Sequence, residues 1–122
     1  MILIDSLIWI NHLRSNDERS AAMLTDEDAC THPHVIGEVA MGSIKDRQTI
    51  LLLMNKLPTV EVAMHAEVMA MIERHRLFGR GISYTDAHLL ASAKIAGSRF
   101  WTADRRLATV ATELSISAPP VH

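Results

Sequence analysis

Apolar positions in this chain come in short unbroken runs separated by longer stretches of helical spacing. Ile2-Leu3-Ile4 is apolar without alternation and stops at Asp5. An unalternating run of this length reads as a strand buried on both faces, as in a parallel sheet covered by helices. Leu7, Ile10 and Leu13, with Trp9 nearby, then fit one face of a helix. Strand, carboxylate, helix is the opening of an α/β unit. The pattern continues with a short helix over 17–25 and a second strand, Ala29-Cys30-Thr31. A helix from Val35 to Gly42 follows His32-Pro33-His34, because Pro33 suits a first helical turn. A leucine-rich helix over 46–57 ends at Pro58. Val60-Glu61-Val62-Ala63 alternates weakly and reads as a third strand, and a long helix occupies 65–78 before Gly79-Arg80-Gly81.

The last third reads as helix, strand and helix. Ser83 and Thr85 are cap candidates for a helix that ends at Gly97. Arg99-Phe100-Trp101-Thr102 is a strand, and Ala103-Asp104-Arg105-Arg106-Leu107 leads into a final helix. Leu114-Ser115-Ile116 forms an edge strand, and a short proline-containing tail starts near residue 117. No internal repeat, low-complexity tract or linker interrupts this order. The expected fold is a three-layer α/β/α domain with a central, mostly parallel sheet, spanning residues 1–122 as one unit.

Composition changes this picture little. The chain is 48% hydrophobic and 21% charged, which excludes a disordered or extreme class. One cysteine, Cys30, precludes an internal disulfide and reads as a core thiol. No stretch reaches the ~20 apolar residues of a membrane span, and no signal-peptide pattern opens the chain, so the expected location is the cytoplasm. The net charge of −2 does not point to a polyanion. Its distribution is uneven: acids dominate before residue 45, whereas Arg74, Arg76, Arg80, Lys94, Arg99, Arg105 and Arg106 face only Asp86 and Asp104 between 74 and 106. That basic half suits either a polyanion or a solvated helix surface.

The candidate chemistry lies in four carboxylates at element ends. Asp5 and Asp104 each follow an apolar strand, Asp86 opens a helix, and Glu38 sits beside an apolar helical face. Each has an ordinary alternative role, since Asp5, Asp86 and Asp104 also suit helix caps and Glu38 a half-exposed surface. If the first strand and the strand ending at Thr102 are adjacent and parallel, Asp5 and Asp104 meet beyond the carboxyl ends of the sheet, where open α/β sheets gather function. Four such groups repel one another unless a cation compensates. Oxygen-only ligands suit Mg²⁺ or Mn²⁺, and the chemistry such a site supports is phosphodiester hydrolysis.

These residues carry a resemblance. Ile2-Leu3-Ile4-Asp5-Ser6, Ile36-Gly37-Glu38-Val39, the stretch from Tyr84-Thr85-Asp86 through Ser92-Ala93, and Trp101-Thr102-Ala103-Asp104-Arg105-Arg106-Leu107 together resemble the PIN-domain ribonucleases, specifically the VapC-type toxins of bacterial toxin–antitoxin pairs. The resemblance covers essentially the whole chain. It implies a Mg²⁺-dependent endoribonuclease, with Mn²⁺ as a substitute, in which Asp5, Glu38, Asp86 and Asp104 form the catalytic metal site and Ser6 and Thr102 support it. It also implies homodimerisation and neutralisation by a small VapB-like antitoxin. Arg80, Arg99, Arg105 and Arg106 are candidate RNA phosphate contacts.

Three alternatives stay open at this point. A DNA-directed nuclease uses the same fold, and a protein-interaction or RNA-binding domain with a degenerate metal site needs no chemistry. An aspartyl-phosphate phosphatase requires a second aspartate two residues after the first, where this chain has Leu7. The chain departs from the family at His32-Pro33-His34 and His88, which are assigned surface or structural roles. Zinc is disfavoured, because no second cysteine and no tight ligand pair stands out. Trp9 and Trp101 are assigned to the core.

Overall fold

The structure is a computed structural model that describes residues 1–15, 22 and 24–118. Strand β1 (Ile2–Ile4) lies between β2 (Ala29–Cys30) and β3 (Arg99–Trp101), and both pairings are parallel. The register sets Leu3 against Cys30 on one side and Phe100 on the other, and Ile4 against Trp101. The unalternating run is central for the reason the sequence suggests: Leu3 and Ile4 are buried, with Cys30 and Phe100 beside them. Burying side chains of this size contributes roughly 1.5–3 kcal/mol each.

Helix α1 (Ser6–Ser15) packs on α2 (Pro33–Met41), which contacts α3 (Arg47–Met54). On the basic half, α4 (His65–Arg74) packs on α5 (Tyr84–Ala96), which also contacts β3; α6 (Arg105–Glu113) follows. Ala87 to Ala93 of α5 are buried without interruption, and the small residues Ala87, Ala91 and Ala93 permit the close approach. Gly97 ends α5 in the left-handed conformation at φ 70°. Trp9 is fully buried and Trp101 packs against the same core, so both tryptophans are core residues. Cys30 is a buried free thiol.

Four expected elements differ in extent. The strand expected over 60–63 is reduced to one bridge, Thr31 to Thr59, flanked by hydrogen bonds from Thr31 N–H to Pro58 O and Val60 N–H to Thr31 O. The expected alternation does not hold, since Val60 and Ala63 are buried and Glu61 and Val62 both exposed, and Ala63 N–H turns to the Ser92 hydroxyl instead of a strand. The edge strand expected over 114–116 is likewise one bridge, Phe100 to Ser117, which ties the start of the expected tail to the sheet. The helix expected to reach residue 78 ends at Arg74, because Arg76 takes φ 53° and Leu77 N–H returns to Ile72 O, burying Leu77. The leucine-rich helix is also shorter than expected, running from Arg47 to Met54. The helix expected over 17–25 and the tail beyond 118 lie largely outside the described residues.

Candidate metal centre

Asp5 stands where β1 ends and α1 begins. Its N–H donates to Trp101 O at 2.9 Å, so the sheet register carries the central and β3 strands to a common end. There Thr102 Oγ1 donates to Asp5 Oδ2 at 2.7 Å, and Ser6 N–H donates to Oδ1 at 2.8 Å. Asp5 thus reaches only the first N–H of α1 rather than the N2 or N3 N–H that a capping side chain takes, and its other oxygen is held by the residue after β3.

The carboxylate is costly where it sits. Burial pushes Asp5 above the ordinary aspartate range; the Thr102 hydroxyl and Ser6 N–H oppose that rise, and the charges of Asp86 and Glu38 add to it. Two of the other three sequence-identified acids, Asp86 and Glu38, thus act on Asp5 at this strand end. Glu38 reaches it from α2, where Ser6 Oγ donates to Glu38 Oε2 at 2.8 Å. Ser6 and Thr102 hence each donate a hydroxyl hydrogen bond to a different member of the acidic set.

Asp86 and Asp104 divide their oxygens between local and outward roles. Ser83 caps α5 and forms a reciprocal box with Asp86: Asp86 N–H donates to Ser83 Oγ, and Ser83 N–H to Asp86 Oδ2, both at 3.1 Å. Asp104 caps α6, with Oδ1 accepting from Arg106 N–H at 2.9 Å and Leu107 N–H at 3.1 Å. These bonds occupy one oxygen of each carboxylate. Asp104 is exposed and connects to Asp5 through a relay, since Asp104 N–H donates to the same Thr102 Oγ1 that donates to Asp5. The capping alternatives for Asp86 and Asp104 are real, and the charge of Asp86 also acts on Asp5.

The arginines separate. Arg105 and Arg106 open α6 directly after Asp104, and the Arg106 side chain lies across Gly81. Arg80 is committed to Glu113 in a two-point ion pair at 2.7 and 2.5 Å. Arg99 is at the opposite end of the sheet from Asp5, in register with Ile2, and its guanidinium donates to Ser117 O at 3.0 Å. The structure therefore does not bring Arg99 to the acids.

Sequence spacing did not reveal the convergence of the histidines. Among the described residues, the side chains grouped closely enough to hold a metal are His32, His34 and His88, with one ligand atom of each within 4.8 Å of the others. The signal was present in the His-Pro-His triplet, but the third member comes from α5, 54 positions further on, and only the fold joins them. A groove of about 360 Å³ lined by Pro33, His34, Gly37, Glu38, Met41 and Thr85 runs between the histidines and the acids.

The geometry has counterparts among known proteins. The fold resembles the crystal structure of PAE2754 from Pyrobaculum aerophilum, with a TM-score of 0.62 at 18% identity over 93% of this chain and 94% of that one. In sequence, the chain is 44% identical over 118 residues to ribonuclease VapC32 of Mycobacterium tuberculosis, in strains CDC 1551 / Oshkosh and ATCC 25618 / H37Rv, covering 96% of this chain and 95% of the relative. The PIN domain model matches residues 2–113, and on that near-complete match the chain belongs to the PIN-domain family.

Proposed function

We propose that this protein is a Mg²⁺-dependent endoribonuclease of the VapC toxin type, neutralised by a small VapB-like antitoxin. The observation that carries the reading is Asp5: a buried carboxylate at the end of the central strand, whose ionisation is opposed by burial and by the charges of Asp86 and Glu38. An uncompensated arrangement of this kind is destabilising, and a hard divalent cation relieves it. The donor chemistry suits such an ion, because every donor is a carboxylate oxygen, and binding draws the four acids closer than they stand here, where the histidines are the side chains grouped within ligand distance among the described residues. Similarity to ribonuclease VapC32 supports RNA as the substrate class.

In this reading Asp5, Asp86, Asp104 and Glu38 hold the metal, and Mn²⁺ substitutes for Mg²⁺. When bound, the metal supplies Lewis-acid activation of water and neutralises charge on the scissile phosphate. The chain's own residues prepare for this. Thr102 fixes the orientation of Asp5 and lowers the cost of its charge, while Ser6 tethers Glu38 across the α1–α2 contact. The caps on Asp86 and Asp104 fix those side chains to two helix starts. Arg105 and Arg106, next to Asp104, contact RNA phosphates. Arg80 and Arg99 are weaker candidates, each being engaged elsewhere.

Homodimerisation and antitoxin binding belong to the same proposal. The sequence offers two apolar surfaces for partners, around Ile8 to Leu13 and Leu51 to Leu57; the first is spent on the core through Ile8, Trp9 and Leu13, whereas Leu52 and Leu53 of α3 stay exposed. Among the described residues no helix is long and apolar enough to cross a membrane. The test of function is cleavage of single-stranded RNA and of matched single-stranded DNA by purified protein, with Mg²⁺ or with chelator. Cleavage of RNA in Mg²⁺ alone is expected. Cleavage of DNA in preference to RNA favours the DNA-directed alternative, and unaltered cleavage in chelator overturns the metal-dependent reading.

A further inference from the structure

Next to the carboxylates lies a second convergence of donors that the proposed reaction leaves unused. His32 precedes α2 and caps it, His34 lies in its first turn, and His88 lies just past the first turn of α5. Their ring centroids are 4.8 Å (His32–His34), 4.9 Å (His34–His88) and 5.6 Å (His32–His88) apart. His32 and His88 are buried and His34 is exposed, so the set runs from the core to the groove that His34 shares with Glu38.

Three features bear on its capacity to hold a cation. The Nδ1 of His88 is buried without a hydrogen-bond partner, in a residue only 7% exposed. Leaving such an atom unpaired costs about 1–3 kcal/mol. Burial, with the neighbouring His34 and His88, holds His32 down to about 4, so its ring is neutral near physiological pH. Neutral imidazole is the metal-binding form.

The third feature is the tautomer of His32, assigned from its network. The Ser92 hydroxyl donates to His88 O at 2.8 Å and accepts Ala63 N–H at 3.0 Å, so its contact with His32 Nε2 at 3.1 Å has the imidazole as donor. The lone pair of His32 is then on Nδ1, where it accepts His34 N–H at 3.0 Å. Ligation through Nδ1 displaces one helix-cap hydrogen bond, worth about 1 kcal/mol. The Nε2–Ser92 bond survives as the orienting contact that metal-bound histidines commonly keep.

We propose that His32, His34 and His88 form a second cation site for a borderline transition ion of the Zn²⁺ class, chemically separate from the oxygen-only pocket. Imidazole nitrogens suit Zn²⁺, Co²⁺ and Ni²⁺, whereas Mg²⁺ prefers oxygen. Three protein ligands leave a fourth position for water or another group. Zinc–nitrogen bonds of about 2.0–2.1 Å require the ligand atoms to draw together from their present spread, a movement that exposed His34 can supply.

The test uses tag-free, chelator-stripped protein in excess Mg²⁺, titrated with Zn²⁺ by calorimetry and with Co²⁺ by its visible absorption. Wild type and Asp5→Asn are both expected to take one equivalent at the histidines. His34→Ala and His88→Gln are expected to bind about 10–100-fold more weakly or worse. Because His34 is exposed, its replacement keeps the fold, which an unfolding curve checks. No uptake by wild type overturns the proposal, as does wild-type affinity in both histidine variants. Loss of uptake in Asp5→Asn also overturns it, by placing the ion among the carboxylates.

Discussion

The carboxylates and the histidines are neighbours on α2, where Glu38 follows His34 by one turn, yet they meet burial in opposite ways. Asp5 carries a carboxyl group into the core, where burial and the charges of Asp86 and Glu38 oppose its ionisation, so a charged pocket is under electrostatic cost until a cation arrives. His32 is carried deeper still, but it avoids the cost by remaining neutral and satisfying both ring nitrogens. The contrast teaches that the same helix start can serve two kinds of site. One is poised for hard, oxygen-loving ions, and the other offers nitrogen lone pairs whose protonation is suppressed.

The largest expected effect falls on the carboxylates. Asp5→Asn is expected to lower RNA cleavage by at least ~10³-fold, since removing a ligand forfeits several kcal/mol of charge stabilisation. Comparing single-turnover rates for wild type and variant checks this. An Asn retaining wild-type rates sinks the assignment of Asp5.

Next in size is the acid response of the histidine region in metal-free protein. The folded pKa of His32 is depressed to about 4 from 6.5, so between those values the unfolded chain binds a proton that the folded chain refuses. Stability from this group is fully present above pH 6.5 and is lost as pH falls toward 4, by on the order of 3 kcal/mol. Urea unfolding between those pH values measures the slope, and His32→Gln is expected to flatten it. A wild-type slope in that variant assigns the acid response to other groups.

Thr102→Val comes third. It removes a hydrogen bond to a charged oxygen, worth about 1.5–3 kcal/mol, and is expected to raise the Asp5 pKa further and weaken Mg²⁺ binding. Carboxyl ¹³C NMR titration of Asp5 reads the shift; an unchanged midpoint contradicts the role given to Thr102. The smallest effect separates the arginines. Arg105→Gln is expected to reduce the salt slope of RNA binding by about 1, whereas Arg99→Gln, at the far end of the sheet, leaves it unchanged. Equal slopes in the two variants remove this distinction.

How far these differences could be read from the sequence depends on whether neighbours are fixed by local pattern or by packing. The unalternating Ile2–Ile4 run and the abrupt Asp5 disclose a central strand and its end, because burial on both faces leaves a compositional trace. Ser83, Gly97 and Asp104 disclose helix ends because capping chemistry is local. The strand expected at Val60 to Ala63 fails because Val62 is exposed and Ala63 buried, so the apparent alternation is not one of burial, and no strand beside it offers pairing. β2 is only two residues long, and Ser92 takes the Ala63 N–H instead. The fate of Arg80 was equally hidden, since Glu113 reaches it only when α6 packs beside the Gly79-Arg80-Gly81 turn. The histidine cluster was illegible for the same reason: no spacing rule links His34 to His88.

The central claim, that Asp5 is held at a cost which a hard divalent cation relieves, is tested most directly by thermal unfolding of chelator-stripped wild type and Asp5→Asn at neutral pH, without and with saturating Mg²⁺. A raised folded pKa for an acid means that its ionisation costs stability as pH climbs above 3.8, so the account predicts that Asp5→Asn melts higher than wild type without metal. It further predicts that Mg²⁺ raises the wild-type Tm, by the equivalent of about 2.7 kcal/mol at a hundredfold excess over Kd, and leaves Asp5→Asn nearly unmoved. A wild type that gains nothing from Mg²⁺, or a variant that gains as much, contradicts it.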